Sequence, residues 1–193
     1  MTRGRLIAFE GLDQSGKQTQ ALRLRQALEK RNLNVVSFDF PDYATPIGRE
    51  IGAALAGDRA FPADCLQLLY VANRCEHRPA IEAALAAGRW VVCDRYLASS
   101  IAYGEAQGLD PDWLRLIQRV LPPADTTVLL DIAPEVAAAR KQQQRDAFEQ
   151  DLDLLGRVRA SYLRQAAAAN GWHVVDAARD RENVTRDVLA ILT

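Results

Sequence analysis

The chain has 193 residues, 49% of them apolar and 25% charged, with a net charge of −1 at pH 7. A chain of that length can bury a core and is expected to form one domain, and a charge so near zero excludes bulk attraction to nucleic acid or to an anionic membrane. No apolar run approaches the ~18–20 residues that span a bilayer, and Met1-Thr2-Arg3-Gly4-Arg5 runs straight into a strand with no leader pattern, so a cytoplasmic protein is expected.

Strand-like and helix-like segments alternate along the chain. Leu6 to Glu10 reads as a buried strand, and Thr19 to Arg31 as a helix with Ala21, Leu24 and Leu28 on one face. Val35 to Phe40 is the second strand. Ile47 to Ala56 and Ala63 to Ala87 are helical, with Pro79 kinking or dividing the latter. Trp90 to Asp94 is the third strand, followed by helices near Ser99 to Ala106 and Asp112 to Val120, then by Thr127 to Ile132 as the fourth strand. Pro134 opens another helix with Glu135 in its first turn. The polar tract Arg140 to Arg145 interrupts it, and Leu155, Val158 and Tyr162 resume the helical spacing until Asn170-Gly171. His173 to Asp176 is the fifth strand and Asn183 to Leu192 the last helix. Five short apolar strands separated by helices predict an α/β fold, a parallel sheet with helices on both faces. Right-handed crossovers then set every strand's C-terminal end on one edge, where ligands bind.

Cys65, Cys75 and Cys93 are odd in number and lack metal-ligand spacing, so reduced thiols are expected. Neither His77 nor His173 has neighbouring ligands. The most informative stretch is Gly11 to Lys17, Gly-Leu-Asp-Gln-Ser-Gly-Lys, which reads G-x-x-x-x-G-K between a strand and a helix. Gly11 and Gly16 let the backbone turn tightly around a phosphate chain, the helix N-terminus adds partial positive charge, and Lys17 reaches the outer phosphates. Gln18 stands where a Ser or Thr ordinarily binds magnesium, and Thr19 is turned about 100° away around the helix.

Phe9-Glu10-Gly11-Leu12-Asp13, with Gly16-Lys17 and Gln20, resembles the P-loop of thymidylate kinases. Phe40-Pro41-Asp42-Tyr43 with Thr45-Pro46-Ile47-Gly48, Ala72-Asn73-Arg74, and Asp94-Arg95-Tyr96 are similar to that family's further motifs, in its order and at its spacing, so that the resemblance extends over essentially the whole chain. It implies a P-loop kinase fold with a short lid at about 140–150 and a homodimer. The implied activity is transfer of the γ-phosphoryl group of ATP to dTMP, with Mg²⁺, on the way to dTTP.

The resemblance also implies roles for particular residues. Gly11, Leu12, Asp13, Gln14, Ser15, Gly16, Lys17, Gln18 and Thr19 hold ATP, and Asp13 also contacts the sugar 3′-hydroxyl. Arg95 meets the acceptor phosphate and the group in flight, a task suited to its planar fork of donors. Asp94 holds Mg²⁺ through water, with Gln18 as a further candidate ligand. Phe40 and Pro41 floor the base pocket, Tyr70 stacks on thymine, Arg74 donates to its O4, and Ser100 touches the base edge. Tyr103 crowds the ribose 2′ position. Tyr162 closes the sugar side or packs in the core. Gln14 and Ser15 leave the P-loop without an arginine, so that Arg140 and Arg145 are expected to supply lid charge. Asp42 stands where many members carry an arginine, leaving Tyr43 and Arg49 to compensate. The acceptor is already a phosphate dianion, so that no strong general base is needed. Other readings are a different deoxynucleoside-monophosphate or nucleoside kinase, and a non-catalytic nucleotide-binding paralogue.

Overall fold

The computed structural model describes residues 3–140 and 151–191. Its five strands are β1 (Leu6–Glu10), β2 (Val35–Asp39), β3 (Trp90–Asp94), β4 (Thr126–Asp131) and β5 (Trp172–Asp176), all parallel, in the order β2-β3-β1-β4-β5. The helices are α1 (Lys17–Lys30), α2 (Pro46–Ala56), α3 (Ala63–Ala86), α4 (Leu97–Ala106), α5 (Pro111–Ile117), α6 (Pro134–Arg140), α7 (Leu152–Ala168) and α8 (Arg181–Ala190).

Strand β1 lies in the middle of the sheet, and all five of its residues are buried, whereas the edge strands β2 and β5 keep exposed positions. Successive side chains of a strand point to opposite faces. Accordingly Ile7 and Phe9 enter one core with Leu24, Val158 and Val188, while Leu6 and Ala8 enter a second core with Ile81 and Leu85. Both faces of the sheet are thereby covered, as crossover helices require.

The register decides where the site forms. Phe9 and Asp39 each pair with Asp94, so β1, β2 and β3 end level and their loops leave the sheet side by side. Helix starts carry local signals. Thr45 caps α2, its hydroxyl accepting from Gly48 N at 2.9 Å with Pro46 next, and Asp110, Asp151 and Asp180 cap α5, α7 and α8.

Several boundaries depart from the sequence expectation. Helix α1 begins at Lys17 because Gly16, at φ 96°, ends the loop in a left-handed turn. Strand β2 ends at Asp39, although Phe40 N still donates to Asp94 O at 2.9 Å. Helix α5 stops at Ile117, before Val120. Pro79 does not divide α3, which runs unbroken from Ala63 to Ala86. Pro79 is exposed, so the hydrogen bond its missing N–H forgoes lies on the solvent side, and buried residues on both flanks, Val71 and Ile81 among them, anchor the helix on either side of it. Leu192, Lys141 and Arg145 lie outside the described residues.

Candidate active site

The loop after β1 wraps an open space with its own backbone. Gly11 sits at φ 138°, and a Cβ there would lie 2.5 Å from Leu130 O, so both its conformation and its surroundings exclude a side chain. Lys17 folds back over the loop: its Nζ donates to Leu12 O at 2.8 Å and lies 3.9 Å from Asp13 Oδ1. The lysine side chain is only 6% exposed. Burial, reinforced by repulsion from Arg95 and opposed by Asp13, Asp94 and Glu10, brings its pKa down from 10.5 to about 8.

Arg95 follows β3 with φ 60° and faces the loop from the neighbouring strand. Its Nη2 donates to Asp13 Oδ1 at 2.6 Å and to the Tyr103 hydroxyl at 3.4 Å, and its Nη1 donates to Ser99 Oγ at 3.1 Å and the Tyr162 hydroxyl at 3.3 Å. The guanidinium lies 5.3 Å from the Tyr103 ring centroid, and the Tyr103 hydroxyl donates to Asp13 Oδ2 at 3.2 Å. Burial alone would raise the Asp13 pKa, but the charges of Arg95 and Lys17, with hydrogen bonds from Arg95 and Tyr103, hold it well below the usual carboxylate range.

Behind this layer lies Glu10, fully buried at the end of β1. It accepts from Tyr96 N at 2.9 Å, Ser99 N at 3.3 Å, Ser99 Oγ at 2.6 Å and the Tyr162 hydroxyl at 3.1 Å. A buried carboxylate persists only when its lone pairs are met. By fixing Ser99 and Tyr162, Glu10 fixes two of the acceptors that aim Arg95.

Two cavities open here and share Asp13, Phe40, Pro41, Tyr43 and Arg95. The larger, of about 860 Å³, runs from Gln14 to Gln20 along the loop and α1 towards Ala177, Arg179 and Arg181. The smaller, of about 80 Å³, lies between α3 and α4, lined by Gln67, Tyr70 and Arg74 on one side and Ser99, Ser100 and Tyr103 on the other. Arg74 Nη1 donates to Ser100 Oγ at 2.8 Å, and its guanidinium lies 6.0 Å from the Phe40 ring centroid. Burial lowers the Arg74 pKa. Asn73, fully buried, clasps the loop that carries Phe40 and Pro41: its Oδ1 accepts from Asp42 N at 2.8 Å, and its Nδ2 donates to Asp42 O at 3.2 Å and to Thr45 Oγ1 at 2.9 Å.

A divalent cation fits the junction. Asp94 Oδ1 is buried without a hydrogen-bond partner, and burial raises the carboxyl's pKa although Lys17 and Arg95 pull it down. Gln18 lines the same cleft. Among the described residues no cluster of three or more His, Cys, Asp or Glu is placed to hold a metal. A magnesium ion bound through one or two carboxylates, water and substrate phosphates needs no such cage.

The family model for thymidylate kinase matches residues 9–188. The chain belongs to the thymidylate kinase family. It is 38% identical to the thymidylate kinase of Ralstonia nicotianae over 203 aligned positions, covering 98% of both chains, and 34% identical to that of Caenorhabditis elegans, covering 98% of this chain and 90% of the relative. The solved thymidylate kinase of Candida albicans superposes with a TM-score of 0.81 at 29% identity, over 98% of this chain and 91% of that one.

Within this family member, the residues singled out from sequence fall into three groups. Asp13 to Thr19, Asp94, Arg95 and Arg140 line the larger cavity, and Phe40, Pro41, Tyr43, Tyr70, Arg74, Ser100 and Tyr103 line the smaller. Gly11 and Leu12 line neither cavity; Gly11 packs against Leu130 O and Leu12 O accepts from Lys17. Tyr162 is 1% exposed, belongs to a core cluster and lines neither cavity; it touches Arg95 from behind. Arg49 also lines neither, its Nη1 donating to Ala44 O at 2.8 Å. Arg140 donates to Gln14 O at 3.1 Å and Ala177 O at 2.7 Å, bridging the loop to the segment after β5.

Sequence reasoning gave no role to Glu10, Ser99, Gln67 or Asn73. A lone acid closing the apolar run Leu6-Ile7-Ala8-Phe9 was the available signal for Glu10. Ser99 and Gln67 carry no signal beyond their neighbours.

Proposed function

We propose that this chain is a dTMP kinase acting as one domain in the cytoplasm, transferring the γ-phosphoryl group of ATP to dTMP. The observation that carries this reading is the junction itself. Lys17 and Arg95 come from loops on adjacent strands and converge on Asp13, where the long cleft lined by Gln14 to Gln20 meets the small cavity between α3 and α4.

ATP lies in the larger cavity with its phosphates wrapped by Gly11 to Thr19, and dTMP in the smaller one with its base between Phe40, Tyr70 and Arg74. An oxygen of the dTMP phosphate attacks the γ-phosphorus in line. The bond from that phosphorus to the β,γ-bridging oxygen breaks, and its electron pair leaves on ADP. Little covalent work falls to the protein; positioning and spread positive charge suffice. Lys17 and Arg95 supply that charge from opposite sides, and Arg140 and Arg145 add to it. Asp13 trades part of its bond with Arg95 for the sugar 3′-hydroxyl. Tyr103 excludes a 2′-hydroxyl. Asp94 and Gln18 are the residues that would hold Mg²⁺, which neutralises phosphate charge when bound.

A coupled assay of ADP release with dTMP, dUMP, ribo-TMP and CMP tests the reading. Turnover is expected to be strongest with dTMP; a preference for CMP would reject the base-pocket assignment, and ATP binding without turnover would reject the kinase. The homodimer expected for the family is tested by sedimentation at micromolar concentration.

A further inference from the structure

Gln67 is fully buried in α3, lines the smaller cavity, and has neither its amide oxygen nor its amide nitrogen hydrogen-bonded. Buried polar side chains are almost always paired, and an unpaired one needs an explanation. Gln67 lies seven residues, two helical turns, before Arg74 and therefore on the same face. Helical side chains lean towards the N-terminus, so the long Arg74 side chain reaches towards Gln67. Arg74 spends Nη1 on Ser100, but its Nε also lacks a partner.

The unpaired groups at this cavity form a set: one donor on Arg74, one acceptor on the Gln67 carbonyl, and donors on the Gln67 amide. A pyrimidine-2,4-dione presents the complement along one edge, a carbonyl, an N3–H and a second carbonyl. Cytosine, with an amino group and an unprotonated N3, matches neither of the first two. We propose that Gln67 is a specificity residue that reads the acceptor base, its carbonyl accepting N3–H and its amide N–H donating to a flanking carbonyl. Arg74 takes the other carbonyl. Entry of the dione pairs both ends of the Gln67 amide, whereas a base lacking N3–H leaves its carbonyl unpaired. This inference rests on the dTMP reading above.

The test is a cycle between protein and ligand. Wild type, Gln67→Met and Gln67→Glu are assayed at saturating ATP with dTMP, dCMP and N3-methyl-dTMP. Gln67→Met keeps the volume and removes the polar groups. It is expected to raise KM for dTMP about 10- to 100-fold, while kcat and KM for ATP stay within about threefold. The N3-methyl group, strongly disfavoured by wild type, is expected to cost Gln67→Met about threefold or less, because no acceptor remains to be left unpaired. Gln67→Glu, an acceptor without donors, falls between. An N3-methyl cost that is the same in wild type and Gln67→Met overturns the inference, as does an unchanged KM for dTMP. Should Gln67→Met fail to fold, the imino proton of ¹⁵N3-labelled dTMP bound to wild type decides: slowed exchange with water supports the pairing, and exchange at the free-nucleotide rate overturns it. A wild type that turns over dCMP but not dTMP overturns the functional reading itself, whereas dTMP turnover with indifferent Gln67 variants removes only this residue's role.

Discussion

Lys17→Met should make the ligand-free protein more stable while removing its activity. Nζ is charged and buried, and the fall of its pKa from 10.5 to about 8 corresponds to roughly 3 kcal/mol of disfavoured charge at neutral pH. Methionine fills the same space without that burden. Against this, Leu12 O loses its 2.8 Å donor, a loss of about 1 kcal/mol, and Asp13 loses one of its two countercharges. The net gain is about 1–2 kcal/mol, or about 2–8 °C in melting temperature for a chain of this size. Differential scanning calorimetry without nucleotide measures it. The pH dependence supplies a second check. The unfolded lysine holds its proton up to 10.5 and the folded one only to about 8, so across that window the unfolded state binds more protons and wild-type stability rises with pH. The advantage of Lys17→Met is therefore full below pH 8 and fades towards 10.5. A variant that melts below wild type at pH 7, or an advantage constant across the window, would refute the reasoning.

Four further outcomes follow from the same geometry. On the proposed role of the charged lysine at the ATP phosphates, kcat/KM for ATP should decline as pH rises through about 8, read from a pH–rate profile of the free enzyme. Arg95→Lys keeps the charge but loses the fork that spans Asp13 and Ser99, so kcat should drop about 100- to 1000-fold in steady-state assays with little change in KM for ATP. Tyr103→Ala removes the ring beside Arg95; the ratio of kcat/KM for ribo-TMP to that for dTMP should rise about tenfold, and an unchanged ratio would free Tyr103 from any role at the 2′ position. Gln18→Thr restores the usual hydroxyl at an exposed position, and coupled assays across magnesium concentrations should show activity equal to wild type or higher.

The sheet was legible because its signals are local and repeated: apolar runs such as Leu6 to Phe9 and Thr127 to Ile132 have no other use in a chain of this composition. The glycine-rich turn between β1 and α1 was legible because Gly11 and Gly16 occupy backbone conformations that other residues resist. Of the two effects expected of Pro79, division of α3 does not occur, since that outcome depends on which side of the helix meets water, which a one-dimensional pattern of single residues does not state. The supporting layer of Glu10, Ser99 and Tyr162 was hidden for a similar reason. Its bonds join residues 89 and 152 positions apart, and each residue taken singly fits an ordinary strand or helix. Tyr162 shows the ambiguity well: its spacing with Leu155 and Val158 marks a core stripe, and the structure places it in that core with only its hydroxyl at the site.

The Asn73 clasp sets the gauge of the acceptor cavity. Because Asn73 belongs to α3 and grips the backbone at Asp42, the wall carrying Phe40 and Pro41 cannot drift away from the wall carrying Tyr70 and Arg74. Gly48 locks the far side of the same loop, since a Cβ there would lie 1.7 Å from Asp42 O. On the proposed dTMP reading the two walls act as the fixed jaws of a caliper, and an oversized base meets the Phe40, Tyr70 and Arg74 side chains carried on backbone that is tied together. Laboratory evolution towards bulkier pyrimidines would then have to pass through Asn73 or Gly48, neither of which lines the cavity whose width they set.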